Sequence, residues 1–177
     1  MGRVSTAPAT PPPKRRRVWP WVVGGLLVFV VIAAIAIPNL LRSRMAAGES
    51  PVMGTLRGLN TAAVTYISTF ANGFPPSLKA LGPPLAGSAA DCNHADLVPA
   101  DWLSGQRYGY RFEYVPGPRV EKPGPGCAVA GVESYQIRGR PIRYGETGTR
   151  SFYTDESAVI RGTVEDRAAT PADPPIN

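Results

Sequence analysis

Histidine occurs once in this 177-residue chain, at His94, and cysteine only twice, at Cys92 and Cys127. With so few bases and ligands no catalytic set assembles. His94 has no companion, no serine stands in a Gly-x-Ser-x-Gly turn, and no phosphate-cradling glycine loop leads into a helix. Asp155 and Glu156 are adjacent, in a stretch whose residue types suit a turn, so they do not face each other across a cleft. The expectation is a protein that is not an enzyme, with no cofactor and no small-molecule substrate.

Acidic residues are missing from positions 1–41, which hold Arg3, Lys14, Arg15, Arg16 and Arg17 and so carry +5. Positions 42–177 hold the other 14 bases and all 13 acids, and carry +1. The net charge of +6 is therefore local. A uniformly basic nucleic-acid binder, or a head that takes up DNA, does not fit this distribution.

Charge is also missing from positions 18–38, read WPWVVGGLLVFVVIAAIAIP after Val18, and the run continues to Leu41. It is apolar on all sides, which a surface helix of a soluble domain is not. Roughly twenty helical residues cross the ~30 Å hydrocarbon core of a bilayer. Trp19 and Trp21 stand where indole rings favour the headgroup level. More bases precede the run, Lys14 to Arg17 among them, than follow it closely at Arg42 and Arg44, which places the N-terminus in the cytoplasm and exports the rest. A nuclear-localisation reading of PKRRRV and a cleaved signal peptide ending at Ala34-Ile35-Ala36 compete with this. The apolar run is longer than the usual h-region, which favours a retained anchor whose partner is the lipid bilayer. Positions 1–17 then form a disordered basic cytoplasmic tail and 18–41 a transmembrane helix.

In the exported part, 42–177, Val52, Leu56, Leu59, Ala63, Tyr66 and Phe70 recur at spacings of 4, 3, 4, 3 and 4. This predicts an amphipathic helix over about 51–71, started or bent at Ser50-Pro51 and ended by Asn72-Gly73. Loops follow over 72–106, with short helical turns at 77–81 and 99–103. Tyr108, Tyr110, Phe112 and Tyr114 alternate with polar residues as one face of a strand. Further strands are expected at 134–138, 150–154 and 158–161, giving a sheet over about 107–162 and a C-terminal tail at 163–177. The fold class is α+β: a long N-terminal helix packed on a small antiparallel sheet of three to four strands.

Cys92 and Cys127, one in each of two loops of an exported domain, read as a disulfide. A ring of about 36 residues would constrain the unfolded chain by roughly 3.8 kcal/mol in the chain-entropy model. The metal alternative, Cys92, His94 and Cys127 with Asp91, has suitable ligand types but no established spacing. The second functional class is an envelope-anchored binding module whose head contacts a protein or carbohydrate through Tyr108, Tyr110 and Tyr114. Alternate strand aromatics are more often core.

The segments VVIAAIAIPNLLRSRMAA, LRGLNTAAVTYISTFANGFPPSL and GTRSFYTDESAVIRG resemble the type IV pilin and type II secretion pseudopilin family. The resemblance implies a pilin-like structural or accessory protein of a bacterial inner membrane, passing it once, with a periplasmic or extracellular head. It also implies packing against other pilin-like subunits through the N-terminal helix. One element of the family pattern is replaced. Counted back from Pro38, the prepilin cleavage site would place Gly at Arg16, an aromatic residue at Arg17 and Glu at Trp21. The cleavage motif is thus degenerate. An uncleaved, anchored accessory subunit is expected rather than a major fibre subunit.

Overall fold

A computed structural model describes residues 19–176; within its long helix the side chains at 20, 21, 28, 38–42 and 44–47 are not described. The expected tail 1–17 with Lys14, Arg15, Arg16 and Arg17, and the Trp21, Arg42 and Arg44 side chains, lie outside the described ones. The described residues are α+β, with one long helix, two short 3-10 turns and a five-stranded antiparallel sheet. It divides into two units, 1–40 and 41–177.

Helix α1 is Trp19–Phe70. In the first unit its large described apolar side chains are exposed, among them Leu26, Phe29, Ile32 and Ile35. The helix does not start anew at Ser50-Pro51, since α1 runs through Pro51. Proline there removes one backbone donor, while Thr55 Oγ1 donates to the Pro51 carbonyl at 2.9 Å. After Phe70 the chain leaves the helix through Ala71 at φ +49° and Gly73 at φ +71°.

In the second unit, β1 (Gln106–Arg107), β2 (Tyr110–Pro116), β3 (Tyr135–Pro141), β4 (Ser151–Asp155) and β5 (Arg161–Thr163) form a meander in chain order. The fifth strand, beyond the three or four expected, is the two-residue β1. It arises because Tyr108 and Gly109, at φ +52° and +78°, turn the chain between β1 and β2. Tyr108 therefore sits in a turn and not on the aromatic strand face. Likewise Ala158, at φ +59°, belongs to the β4–β5 turn, so β5 starts at Arg161. Asp155 closes that turn by accepting from the Ser157 backbone N–H at 3.0 Å.

One sheet face meets α1. Val52, Leu56, Leu59, Ala63 and Tyr66 share a single core with Tyr110, Phe112, Tyr135, Ile137 and Phe152, and Phe70 and Tyr114 pack at its edge. A buried polar bridge crosses it. Asn60 Nδ2 donates to Thr154 Oγ1 at 2.8 Å, and the Tyr135 hydroxyl donates to Asn60 Oδ1 at 3.0 Å. The 3-10 turns Leu78–Leu81 and Ala100–Ser104 cover the helix flank. Gly58 is the notch that admits Trp102, since a Cβ there would lie 2.6 Å from its ring.

Residues 163–176 fold back on the sheet. Ile176 donates its N–H to the Ile160 carbonyl at 2.8 Å, and Arg167 holds the buried Asp173 carboxylate through both oxygens. Those hydrogen bonds, with the Thr170 N–H, keep Asp173 below the usual carboxylate range.

Candidate functional site

The two units present different surfaces. In the first, Trp19 is 63% exposed and Ile35 69%, and exposed apolar side chains run along the helix between them. Contiguous apolar exposure on that scale is rare on a soluble monomer. Among the described residues, no helix is long and apolar enough to cross a membrane.

In the second unit the amphipathic stripe is spent on the fold. Val52, Leu56, Leu59, Ala63 and Tyr66 are buried and Phe70 is half-buried. Tyr66 also binds the loops through its hydroxyl, which donates to the Cys92 carbonyl at 2.8 Å. Burial pushes that phenol above its ordinary pKa.

Cys92 and Cys127 form a disulfide, with Cα atoms 5.6 Å apart. Both sulfurs are thereby removed from the alternative ligand set. Asp91 Oδ1 accepts from the backbone N–H groups of Asn93 and His94, both at 2.8 Å, so that carboxylate shapes a turn. Among the described residues, no three His, Cys, Asp or Glu side chains are grouped to hold a metal ion.

The disulfide pins two loops over the end of α1, where Asn72 is the hub. Its Nδ2 donates to the Val129 carbonyl at 3.0 Å and to the Tyr66 hydroxyl at 3.1 Å. Its Oδ1 accepts from Gly124 N–H at 2.7 Å and from Gly131 N–H at 3.3 Å. Sequence reasoning missed this role. The available signal was an Asn beside the helix-ending Gly73, followed by a loop whose glycines permit close backbone approach. A Cβ at Gly131 would lie 1.9 Å from the Asn72 carbonyl oxygen.

The three tyrosines of the binding reading part company. Tyr110 is fully buried. Tyr114 stacks on Tyr135 with centroids 5.7 Å apart, and its hydroxyl donates to the Pro75 carbonyl at 2.6 Å. Burial raises the pKa of Tyr110, Tyr114 and Tyr135, with the Glu49 carboxylate adding to the effect at Tyr110. Only Tyr108 is open to a partner, and it packs on Arg107, whose guanidinium carbon lies 4.9 Å from its ring centroid and 5.1 Å from that of Trp102. The tyrosines thus form no continuous aromatic platform.

Comparison with known proteins gives no match: no protein-family model fits the chain, and no curated protein or solved structure is similar to it at a significant level.

Proposed function

We propose that the chain is a pilin-like, membrane-anchored, non-enzymatic protein, a structural or accessory component of a type IV pilus or type II secretion-like system. The reading rests on one observation: a single helix is apolar and exposed over its first part and buried under a meander sheet over its second. A sheet that consumes the amphipathic half leaves the apolar half to lipid or to like helices of other subunits. The bases Lys14 to Arg17 keep the N-terminus cytoplasmic, and the chain keeps that N-terminus because Arg16 and Arg17 occupy the family's cleavage positions.

The test is intact mass and N-terminal sequencing of the protein extracted from alkaline-washed membranes, without reduction. The expected result is the full 18.8 kDa chain with its disulfide closed. A chain beginning after residue 16, or within the apolar run, would overturn the uncleaved anchor. Recovery as the bulk component of purified pili would overturn the accessory role.

A further inference from the structure

An uncovered edge strand invites another strand to pair with it, and the meander has two edges, β1 and β5. They are closed by different means. β1 has only two residues, and its Gln106 gives its N–H to Ser104 Oγ at 3.2 Å and takes the Ser104 hydroxyl on its carbonyl at 3.1 Å. So short an edge, with those groups taken, is a poor template.

β5 is closed by residues 173–176, which lie along it as an antiparallel strap with Pro175 opposite Arg161. Gly162 donates its N–H to the Pro174 carbonyl at 3.1 Å, and Ile176 donates to the Ile160 carbonyl at 2.8 Å. Along an antiparallel strand the backbone groups of successive residues face alternately toward the partner and away from it. Those of 174 and 176 face β5, so those of Pro175 face outward, and proline has no N–H. The strap covers one edge and leaves in its place an edge that lacks its donor.

Polar contacts hold the strap more than apolar burial does. Asp173 is buried, Ile176 half-buried, and Pro174 and Pro175 exposed. The Asp173 carboxylate accepts from Arg167 Nη1 at 2.9 Å, Thr170 N–H at 2.7 Å and Thr170 Oγ1 at 3.0 Å. Arg161 Nη1 donates to the Asp173 carbonyl at 3.0 Å. Ile176 Cδ1 sits over Gly162, where a Cβ would lie 2.3 Å from it. Ile176 reaches only the margin of the core between α1 and the sheet, so the strap can leave with that core intact.

Without the strap, β5 offers the Ile160 carbonyl as acceptor and the Gly162 N–H as donor. That order is self-complementary. About a two-fold axis at Arg161, Ile160 of one chain faces Gly162 of another, and each acceptor meets a donor. We propose that residues 173–176 are an edge guard: they keep β5 from pairing with β5 of a second copy, and their release opens that interface. The proposal does not depend on the membrane anchor.

The test compares the full chain with a variant lacking 173–177 in the same detergent micelles, over a range of protein concentrations. Single-amide hydrogen exchange is read by NMR and mass by sedimentation. In the full chain the Gly162 amide should exchange slowly at every concentration. In the variant it should exchange fast when dilute and several-fold more slowly when concentrated, as the mass doubles. Arg161→Gln in that variant should move the doubling to lower concentration, because two Arg161 side chains would otherwise face each other across the axis. A Gly162 amide that stays slow in the dilute variant would show that the strap is not its cover. One that stays fast at every concentration, or a mass that doubles without slowing it, would show that β5 takes no second copy. Each result overturns the guard. Should the deletion also free the amides of β2 and β3, Pro175→Ala in the full chain carries the test. It restores an outward donor, so association should rise and the new amide at position 175 should slow with concentration; behaviour like that of the parent would overturn the proposal.

Discussion

The two parts of α1 are both rich in Val, Leu, Ile and Ala, yet they meet opposite fates. Leu26 is 62% exposed and Leu56 is fully buried. The difference lies in the pattern. Up to Pro38 the apolar residues surround the axis, and no charged or polar side chain marks a water-facing stripe. From Val52 onward they repeat at helical spacing, and a sheet face of Tyr110, Phe112, Ile137 and Phe152 covers them. A one-sided stripe is closed by a protein layer, and on the proposed reading an all-round one is left to lipid or to like helices. The consequence is that damage to either part should leave the other standing.

The largest expected effect falls on the first part. Leu27→Arg with Val31→Arg should cost about 6 kcal/mol of membrane insertion, at ~3 kcal/mol for each central arginine. The variant should move from the alkaline-washed membrane pellet to the supernatant while the head keeps its thermal transition. The converse change, Leu56→Ala, should destabilise the head by about 2–5 kcal/mol in denaturant unfolding and leave the chain in the membrane. If the first variant melts the head, or the second releases the chain, the two parts are not independent.

The stripe of the second part was legible because its pattern is local. Helical spacing needs only the order of residues, and so do the disulfide reading of Cys92 and Cys127 and the Asp155-Glu156-Ser157 turn. Tyr108 was misplaced because period-two alternation continues unbroken into a turn, and the left-handed backbone of Tyr108 and Gly109 leaves no mark on hydrophobicity. Asn60 and Asn72 were illegible for a different reason. Their partners lie 94 residues away at Thr154 and 52 away at Gly124, so their roles exist only once the sheet and loops are assembled. The same holds for Pro175, whose place opposite Arg161 is a fact of register.

Smaller effects sharpen the picture inside the head. Cys92→Ser with Cys127→Ser should lower stability by about 2–4 kcal/mol, read as a lower denaturant midpoint that reduction of the parent protein reproduces. Asn72→Ala should cost about 1–3 kcal/mol, because it leaves the Gly124 and Gly131 N–H groups without their acceptor. Faster amide exchange confined to the 117–132 loop would report it. The smallest effect is acidic. Asp173 is held by Arg167 below the usual carboxylate range, so its contribution is complete above about pH 4. It fades as pH falls further and the carboxyl is protonated. Asp173→Asn should remove this part of the pH dependence, and should loosen 163–176 with little change at neutral pH in the amides of β2 and β3.

The most direct measurement of the division is a topology assay with a membrane-impermeant maleimide on cells stripped of their outer barrier. Glu113 is exposed on the outer sheet face, and Glu113→Cys should be labelled at once. Ser5→Cys, ahead of the basic cluster, should be labelled only after the membrane is opened. Labelling of both before opening, or of neither, would contradict a helix whose first part lies in the bilayer and whose second lies in an exported head.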